Sequence, residues 1–146
     1  MRRFEEQDRA LYLELAEAFY HSPAVLHPIP AQYMERTFDE MIRSDLYVDG
    51  FLISTDEDEP MGYALMSKTF SQECGGLAIW FEEMSVLPAF QGHGVGSKVF
   101  EFMEQYYPSW ARIRLEVERD NTRAIKLYER LGYQELAYYQ MVKDRV

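Results

Sequence analysis

Gln91-Gly92-His93-Gly94-Val95-Gly96-Ser97 is the stretch that decides how this chain folds. It follows an apolar, strand-like run ending at Val86-Leu87-Pro88. It opens a segment whose apolar residues, Val95, Val99, Phe102, Met103 and Tyr106, recur at helical spacing. Glycines at alternate positions let the backbone turn sharply and come close to a ligand. The first amides of the helix have no partner one turn back and lie at the positive end of its dipole. Strand, glycine-rich turn and helix N-terminus together make an anion site, most often for phosphate.

Three patterns compete for the loop. A P-loop requires G-x-x-x-x-G-K-[ST]. Here Gly92 and Gly96 are one position too close, and Ser97 precedes Lys98. A dinucleotide loop requires G-x-G-x-x-G and an acid about twenty residues on. Gly92, Gly94 and Gly96 read G-x-G-x-G instead, and they come late in the chain. The third pattern, Q/R-x-x-G-x-G/A, is met in full by Gln91, Gly94 and Gly96. On the loop alone, a glycine-rich turn that binds nothing also stands.

A second stretch narrows the choice. Residues 116–133 read Glu-Val-Glu-Arg-Asp-Asn-Thr-Arg-Ala-Ile-Lys-Leu-Tyr-Glu-Arg-Leu-Gly-Tyr. Asn121, Ala124, Tyr128, Gly132 and Tyr133 fall on N-x-x-A-x-x-x-Y-x-x-x-G-[FY]. With the glycine loop before it, this resembles the GNAT N-acetyltransferase superfamily, closely over residues 77–133 and loosely beyond. The resemblance implies an acetyl-CoA-dependent enzyme of α/β (α+β) class. It also implies a mixed sheet whose strands splay apart after the glycine loop's strand, opening a V for the cofactor.

The chain has 146 residues, the size of a single domain spanning 1–146. Hydrophobic content of 47% and aromatic content of 15% are those of a folded chain rather than a disordered one. No apolar run approaches the roughly 18 residues of a membrane span. The start, Met1-Arg2-Arg3-Phe4-Glu5-Glu6, turns acidic at once and lacks a signal core. Cys74 is the one cysteine, so no internal disulfide forms and a cytoplasmic location is expected. A net charge of −10 argues against a nucleic-acid partner and suits a cationic amine substrate.

The periodicity predicts a short strand within residues 1–5 and helices over 9–21 and 31–43. Leu11, Leu15, Ala18 and Phe19 line the first helix; Met34, Phe38, Met41 and Ile42 line the second. Strands are expected over 47–54, 62–70 and 77–86, then a helix over 95–107 and a strand around 113–117. A helix follows through Ala124, Leu127, Tyr128 and Leu131, capped by Gly132. A last strand is expected over 138–142, with helices covering both faces of the sheet. Aromatic-rich and near the terminus, that strand could sit at an edge and pair with its copy in a homodimer.

Acetyl transfer to an amine needs a proton acceptor for the amine, a polarised carbonyl and a proton for the leaving thiolate. Glu82 and Glu83 end the apolar strand Leu77-Ala78-Ile79-Trp80-Phe81. Strict alternation puts them on opposite faces, Glu82 with Ala78, Trp80, Met84 and Val86, and Glu83 with Ile79, Phe81 and Ser85. A carboxylate held in such an apolar setting has a raised pKa, which suits a base. The resemblance makes Glu82 the candidate base, acting through water, with Glu83 as the other catalytic candidate.

The resemblance further implies that Tyr128 protonates the CoA sulfur. It sets Met84, Ser85 and Val86 against the pantetheine arm, with the Val86 backbone pairing it. The backbone of Gln91, Gly92, His93, Gly94, Val95, Gly96 and Ser97 holds the pyrophosphate, the Ser97 hydroxyl adding a donor. His93 is expected exposed and not catalytic. Asn121 suits a helix N-cap on spacing alone, and the resemblance makes it a cofactor contact. His27, Trp80 and Glu82 are the candidate substrate contacts, His27 from a loop that overhangs the acceptor in this fold. No histidine has zinc-ligand spacing, so no metal is expected. With no cysteine near a motif, direct transfer to a primary amine of a small, polyamine-like molecule is the leading reading. A peptide or protein N-acetyltransferase and a non-catalytic acyl-CoA-binding module are the alternatives.

Overall fold

The computed structural model describes residues 1–145. The chain forms two compact units, Met1–Glu116 and Val117–Val146. The larger contains β1 (Arg2–Arg3), α1 (Arg9–Tyr20), α2 (Ala31–Arg43), β2 (Val48–Ser54), β3 (Pro60–Ser71), β4 (Gly76–Val86), α3 (Val95–Tyr106) and β5 (Trp110–Leu115). The smaller contains α4 (Thr122–Arg130). The five strands form one sheet in the order β1-β2-β3-β4-β5. Neighbours from β1 to β4 are antiparallel; β5 returns parallel to β4 after the α3 crossover.

Alternation along the strands sends their apolar residues to two sides. Leu52, Tyr63 and Leu65 share a core with Phe4, Tyr12, Leu15, Ala16, Met34, Phe38 and Met41 from the α1 and α2 side. On the other side α3 buries Val99, Phe100 and Met103. Phe100 stacks on Phe81 at 4.5 Å, and Phe102 and Tyr106 meet Phe51 at 5.3 and 4.9 Å. Each of the fully buried side chains Val99, Phe100 and Met103 stabilises by about 1.5–3 kcal/mol over leaving it in water. Beneath α3 lies Asp49, 1% exposed, which accepts from Arg3, from Lys68 Nζ at 2.7 Å and from the Tyr107 hydroxyl. These partners outweigh burial and hold the Asp49 carboxyl below the ordinary carboxylate range.

The helices and central strands fall within one or two residues of their expected bounds. The faces are less regular. In α1, Tyr12, Leu15 and Ala16 are buried, whereas Ala18 is exposed; in α2, Ile42 turns toward solvent. The last strand does not form: residues 133–145 carry no regular secondary structure. There the Tyr138 amide bonds back to the Leu136 carbonyl at 2.8 Å, a turn that bends the chain out of an extended ladder. Tyr139 and Met141 are 93% and 89% exposed, on no buried face. The expected pairing of this strand with a copy of itself loses its strand.

Candidate active site

The site begins where β4 outruns β5. The parallel ladder stops at Phe81–Leu115, whereas β4 continues to Val86 beside β3 alone. One edge of β4 is therefore unpaired by β5 from Glu82 onward, the opening that a splayed sheet creates. Gly62 closes the β3 side. At its φ of +155°, a Cβ would lie 1.8 Å from the Ser85 carbonyl oxygen, so the strands approach only because no side chain intervenes.

A bulge falls at the same point. Leu65 pairs with Glu83 and Met66 with Phe81, which leaves Glu82 as an extra residue in β4. The expected assignment of Glu82 and Glu83 to opposite faces is thus corrected. Glu83 pairs with Leu65 and Trp80 with Ser67, so both share the face of Tyr63. Glu82 accepts from Ser67 Oγ at 2.5 Å on that same face. Met84 and Val86 pair with Ala64 and Gly62 and fall on the opposite side, away from Trp80.

The two carboxylates have different surroundings. Glu83 Oε1 accepts the Tyr20 hydroxyl from the end of α1, and Glu83 Oε2 accepts the Tyr63 hydroxyl from β3 at 2.7 Å. Burial pushes the Glu83 carboxyl above the ordinary range; the two phenols oppose this, and the neighbouring Glu82 adds to it. Burial and this carboxylate raise Tyr20 and Tyr63 beyond the usual phenol range, so both remain donors. Glu82 is exposed and lines a shallow cleft of about 330 Å³ with Ser67, Lys68, Thr69, Trp80 and Glu116. The Arg114 guanidinium lies over the Trp80 ring at 4.0 Å and takes one face of that side chain.

The glycine loop is built as its sequence implies. Gly94 is the N-cap of α3 in the left-handed region, φ +77°, and a Cβ there would meet nothing within 4 Å. The first turn bond runs from the Lys98 amide to the Gly94 carbonyl at 3.3 Å. The amides of Val95, Gly96 and Ser97 precede it, and no side chain caps them. Gln91 Nε2 donates to the Val86 carbonyl at 2.8 Å and ties the loop to the end of β4. Gly92 and His93 are exposed; Ser97 is half-buried.

In the smaller unit, Asn121 caps α4 as its spacing implies: its Oδ1 accepts the Ala124 amide at 3.2 Å. The C-terminus is a Schellman turn around Gly132, φ +91°. The Tyr133 amide reaches the Tyr128 carbonyl at 2.9 Å, and the Gly132 amide reaches that of Glu129 at 3.0 Å. Tyr128 is half-buried, which raises its phenol pKa, and its ring lies 6.1 Å from that of Tyr133.

His27 is exposed in the connection between α1 and α2. Sequence reasoning missed Tyr20 and Tyr63, which reach Glu83 from 63 and 20 positions away in the chain. It also missed Ser67, Glu116 and Arg114. None of these five carries a local motif; only the strand register brings Ser67 and Arg114 beside the glutamates and Trp80. Among the described residues, no group of His, Cys, Asp and Glu is arranged to hold a metal, and no helix is long and apolar enough to cross a membrane.

Comparisons with known proteins bear on the fold and the family. A mycothiol acetyltransferase from Renibacterium salmoninarum is 30% identical over 139 residues, 88% of this chain. The match spans only 38% of that relative's length. A possible acetyltransferase from Clostridium difficile 630 shares the fold at a TM-score of 0.83, with 14% identity over 99% of this chain and 96% of that one. An aminoglycoside N-acetyltransferase, AAC(6')-Iy, in complex with CoA shares it at 0.76, with 17% identity over 99% and 93%. The family model described as acetyltransferase (GNAT) family matches residues 9–133. The chain belongs to the GNAT acetyltransferase family.

Proposed function

We propose that this chain is an acetyl-CoA-dependent N-acetyltransferase, one catalytic domain that passes the acetyl group directly to a primary amine of a small, cationic molecule. One observation carries the reading. At one end of β4 meet a glycine loop opening α3, a strand edge left by β5, and the carboxylates of Glu82 and Glu83.

Acetyl-CoA, the co-substrate that family membership implies, supplies the activated thioester carbonyl. The loop fits its pyrophosphate: Gly94 offers open space where a side chain would otherwise stand, and the first amides of α3 offer donors. The edge of β4 around Met84, Ser85 and Val86 offers backbone groups to an extended arm. One carboxylate of the Glu82–Glu83 pair takes the proton of the incoming ammonium. The resemblance assigns Tyr128 the proton for the departing thiolate. Cys74 directs its Sγ to the Ser71 and Gly76 carbonyls in the turn before β4, far along the strand from Glu82, which supports direct transfer.

A cationic acceptor is supported by the cleft that Glu82, Glu116 and Trp80 line, and by the net charge of −10. The aminoglycoside acetyltransferase among the structural neighbours acts on molecules of that charge class. A cytoplasmic location rests on the single cysteine. CoA release measured across polyamines, aminoglycosides, amino acids and peptides tests the proposal. Release with cationic small molecules is expected. Acetyl-CoA binding without release from any amine would leave an acyl-CoA-binding module, and release with peptides alone would move the acceptor class.

A further inference from the structure

We infer that Tyr20 and Tyr63 are positioning residues that hold Glu83 as the proton acceptor of the transfer, an inference resting on the acetyltransferase reading above. Their hydroxyls reach Glu83 from two different elements and engage its two oxygens separately, Tyr20 on Oε1 and Tyr63 on Oε2. The carboxylate is thereby fixed in both direction and rotation. Tyr63 is itself immobilised: it is fully buried, with the rings of Tyr12 and Phe19 edge-on to it at 5.7 and 6.1 Å. Tyr20 is the last residue of α1 and has Phe19 edge-on at 5.4 Å. It directly precedes the 21–30 connection that carries His27.

The arrangement is a poor one for stability alone. Among the described residues Glu83 takes part in no ion pair, and the charge that acts on it is the like charge of Glu82. The titratable groups that face it are Tyr12 and Tyr20 of α1, Tyr63 of β3 and Glu82 of β4. Even a half-buried carboxylate with no cation beside it is costly to the fold. Phenol donors make it usable: they favour the ionised form against burial while leaving that form basic. Placed one residue from the cleft-lining Glu82, Glu83 can take the ammonium proton. The freed nitrogen lone pair forms the C–N bond at the thioester carbonyl, the C–S bond breaks, and the now cationic nitrogen gives up its second proton as the thiolate is protonated, leaving a neutral amide and a free thiol. Glu83 then returns its proton to water.

The test combines a spectroscopic titration with a rate profile. Carbon-13 NMR of glutamate-labelled protein follows the carboxyl resonance that disappears in Glu83→Gln. In parallel, kcat against pH is measured with acetyl-CoA and the best acceptor from a panel of polyamines and aminoglycosides. Tyr20→Phe, at a half-exposed position, is the primary variant; Tyr63→Phe is the second. Each removes one donor to the carboxylate. Each is expected to move both the Glu83 titration and the acidic limb of kcat upward by about one pH unit. Glu83→Gln is expected to abolish that limb and lower kcat about 100-fold. A Glu83 titration unmoved by Tyr20→Phe, or one that moves without the limb, overturns the inference. So does loss of the limb in Glu82→Gln and not in Glu83→Gln. If the wild type releases CoA with no amine of the panel, the acetyltransferase reading fails and takes the inference with it. An active enzyme with an unmoved limb overturns the inference alone.

Discussion

Glu82 and Glu83 are adjacent in the chain and project from the same face of the sheet, because Leu65 pairs with Glu83 and Met66 with Phe81. In a regular strand two neighbouring carboxylates never share a face. Here the bulge brings them together while their surroundings keep them apart in character. Glu82 sits at the wet edge with a serine; Glu83 is half-buried and held by two tyrosines. Two like groups in different environments divide their roles. In the proposed reaction Glu82 attracts the cation and Glu83 accepts its proton.

Glu83 therefore has a stability signature. Its folded pKa lies above the unfolded value, because burial disfavours the charge. The stability it contributes is full below the unfolded pKa and is lost as the pH rises through the folded one. Glu83→Gln should melt a few degrees above wild type at neutral pH, with the gap closing below about pH 4. A variant that melts below wild type at pH 7 would show that the ionised carboxylate is worth more to the fold than its burial costs.

Asp49 has the opposite sign. Lys68, Tyr107 and Arg3 depress its pKa, so its contribution is present above the unfolded pKa and is lost as the pH falls through the folded one. Asp49→Ala leaves Arg3 and Lys68 facing an empty acceptor, with Lys68 only 14% exposed. Breaking a buried pair in this way costs about 3 kcal/mol. Urea denaturation should show that loss at pH 7 and a smaller difference from wild type near pH 3. A loss under about 1 kcal/mol at pH 7 would mean that the network does not support the α3 side of the sheet.

Much of this was legible in the sequence, and the divide is physical. The glycine loop, the Asn121 cap and the Gly132 turn are local chemistry: each needs a few consecutive residues, and those residues are present. Helix and strand spans followed from periodicity. The bulge at Glu82 did not, because it is a property of two strands in register. Tyr20 and Tyr63 each sit where a core aromatic would sit, and nothing nearby marks them as partners of a distant carboxylate. At residues 138–142 the aromatic composition suggested a strand. Composition cannot provide the neighbour that a ladder needs, and the chain turns at Tyr138 instead.

Gly94 and Gly62 should respond differently to the same substitution. At Gly94 an added methyl meets no protein atom within 4 Å, and the fold bears only the left-handed strain of about 1–2 kcal/mol. At Gly62 the methyl would meet the Ser85 carbonyl oxygen at 1.8 Å and push β3 from β4. Gly94→Ala should therefore fold but lose most of the thermal shift that acetyl-CoA gives the wild type. Gly62→Ala should melt lower with or without it. An undiminished acetyl-CoA shift in Gly94→Ala would remove this loop as the pyrophosphate site, and an equal wild-type shift with ATP would remove its selectivity.

The glutamate pair and Tyr128 should separate in kinetics. Glu82 lines the open cleft, so Glu82→Gln should raise the amine KM several-fold and weaken its dependence on salt, with a smaller effect on kcat. Tyr128 is half-buried, and burial raises its phenol pKa, which keeps the hydroxyl protonated through the neutral range. A donor needed only as the thiolate departs acts in the transition state and not in the bound complex. Tyr128→Phe should then lower kcat about 100-fold at every pH, leaving the acetyl-CoA KM nearly unchanged and the acidic limb in place. The loss should also depend on the leaving group. A more acidic thiol leaves without help, so an acetyl donor bearing one should recover much of the lost rate. If Tyr128→Phe loses less than about tenfold with a melting curve like that of wild type, its phenol does not protonate the thiolate. Tyr128 would then act through its ring, as a packing residue on α4 beside Tyr133.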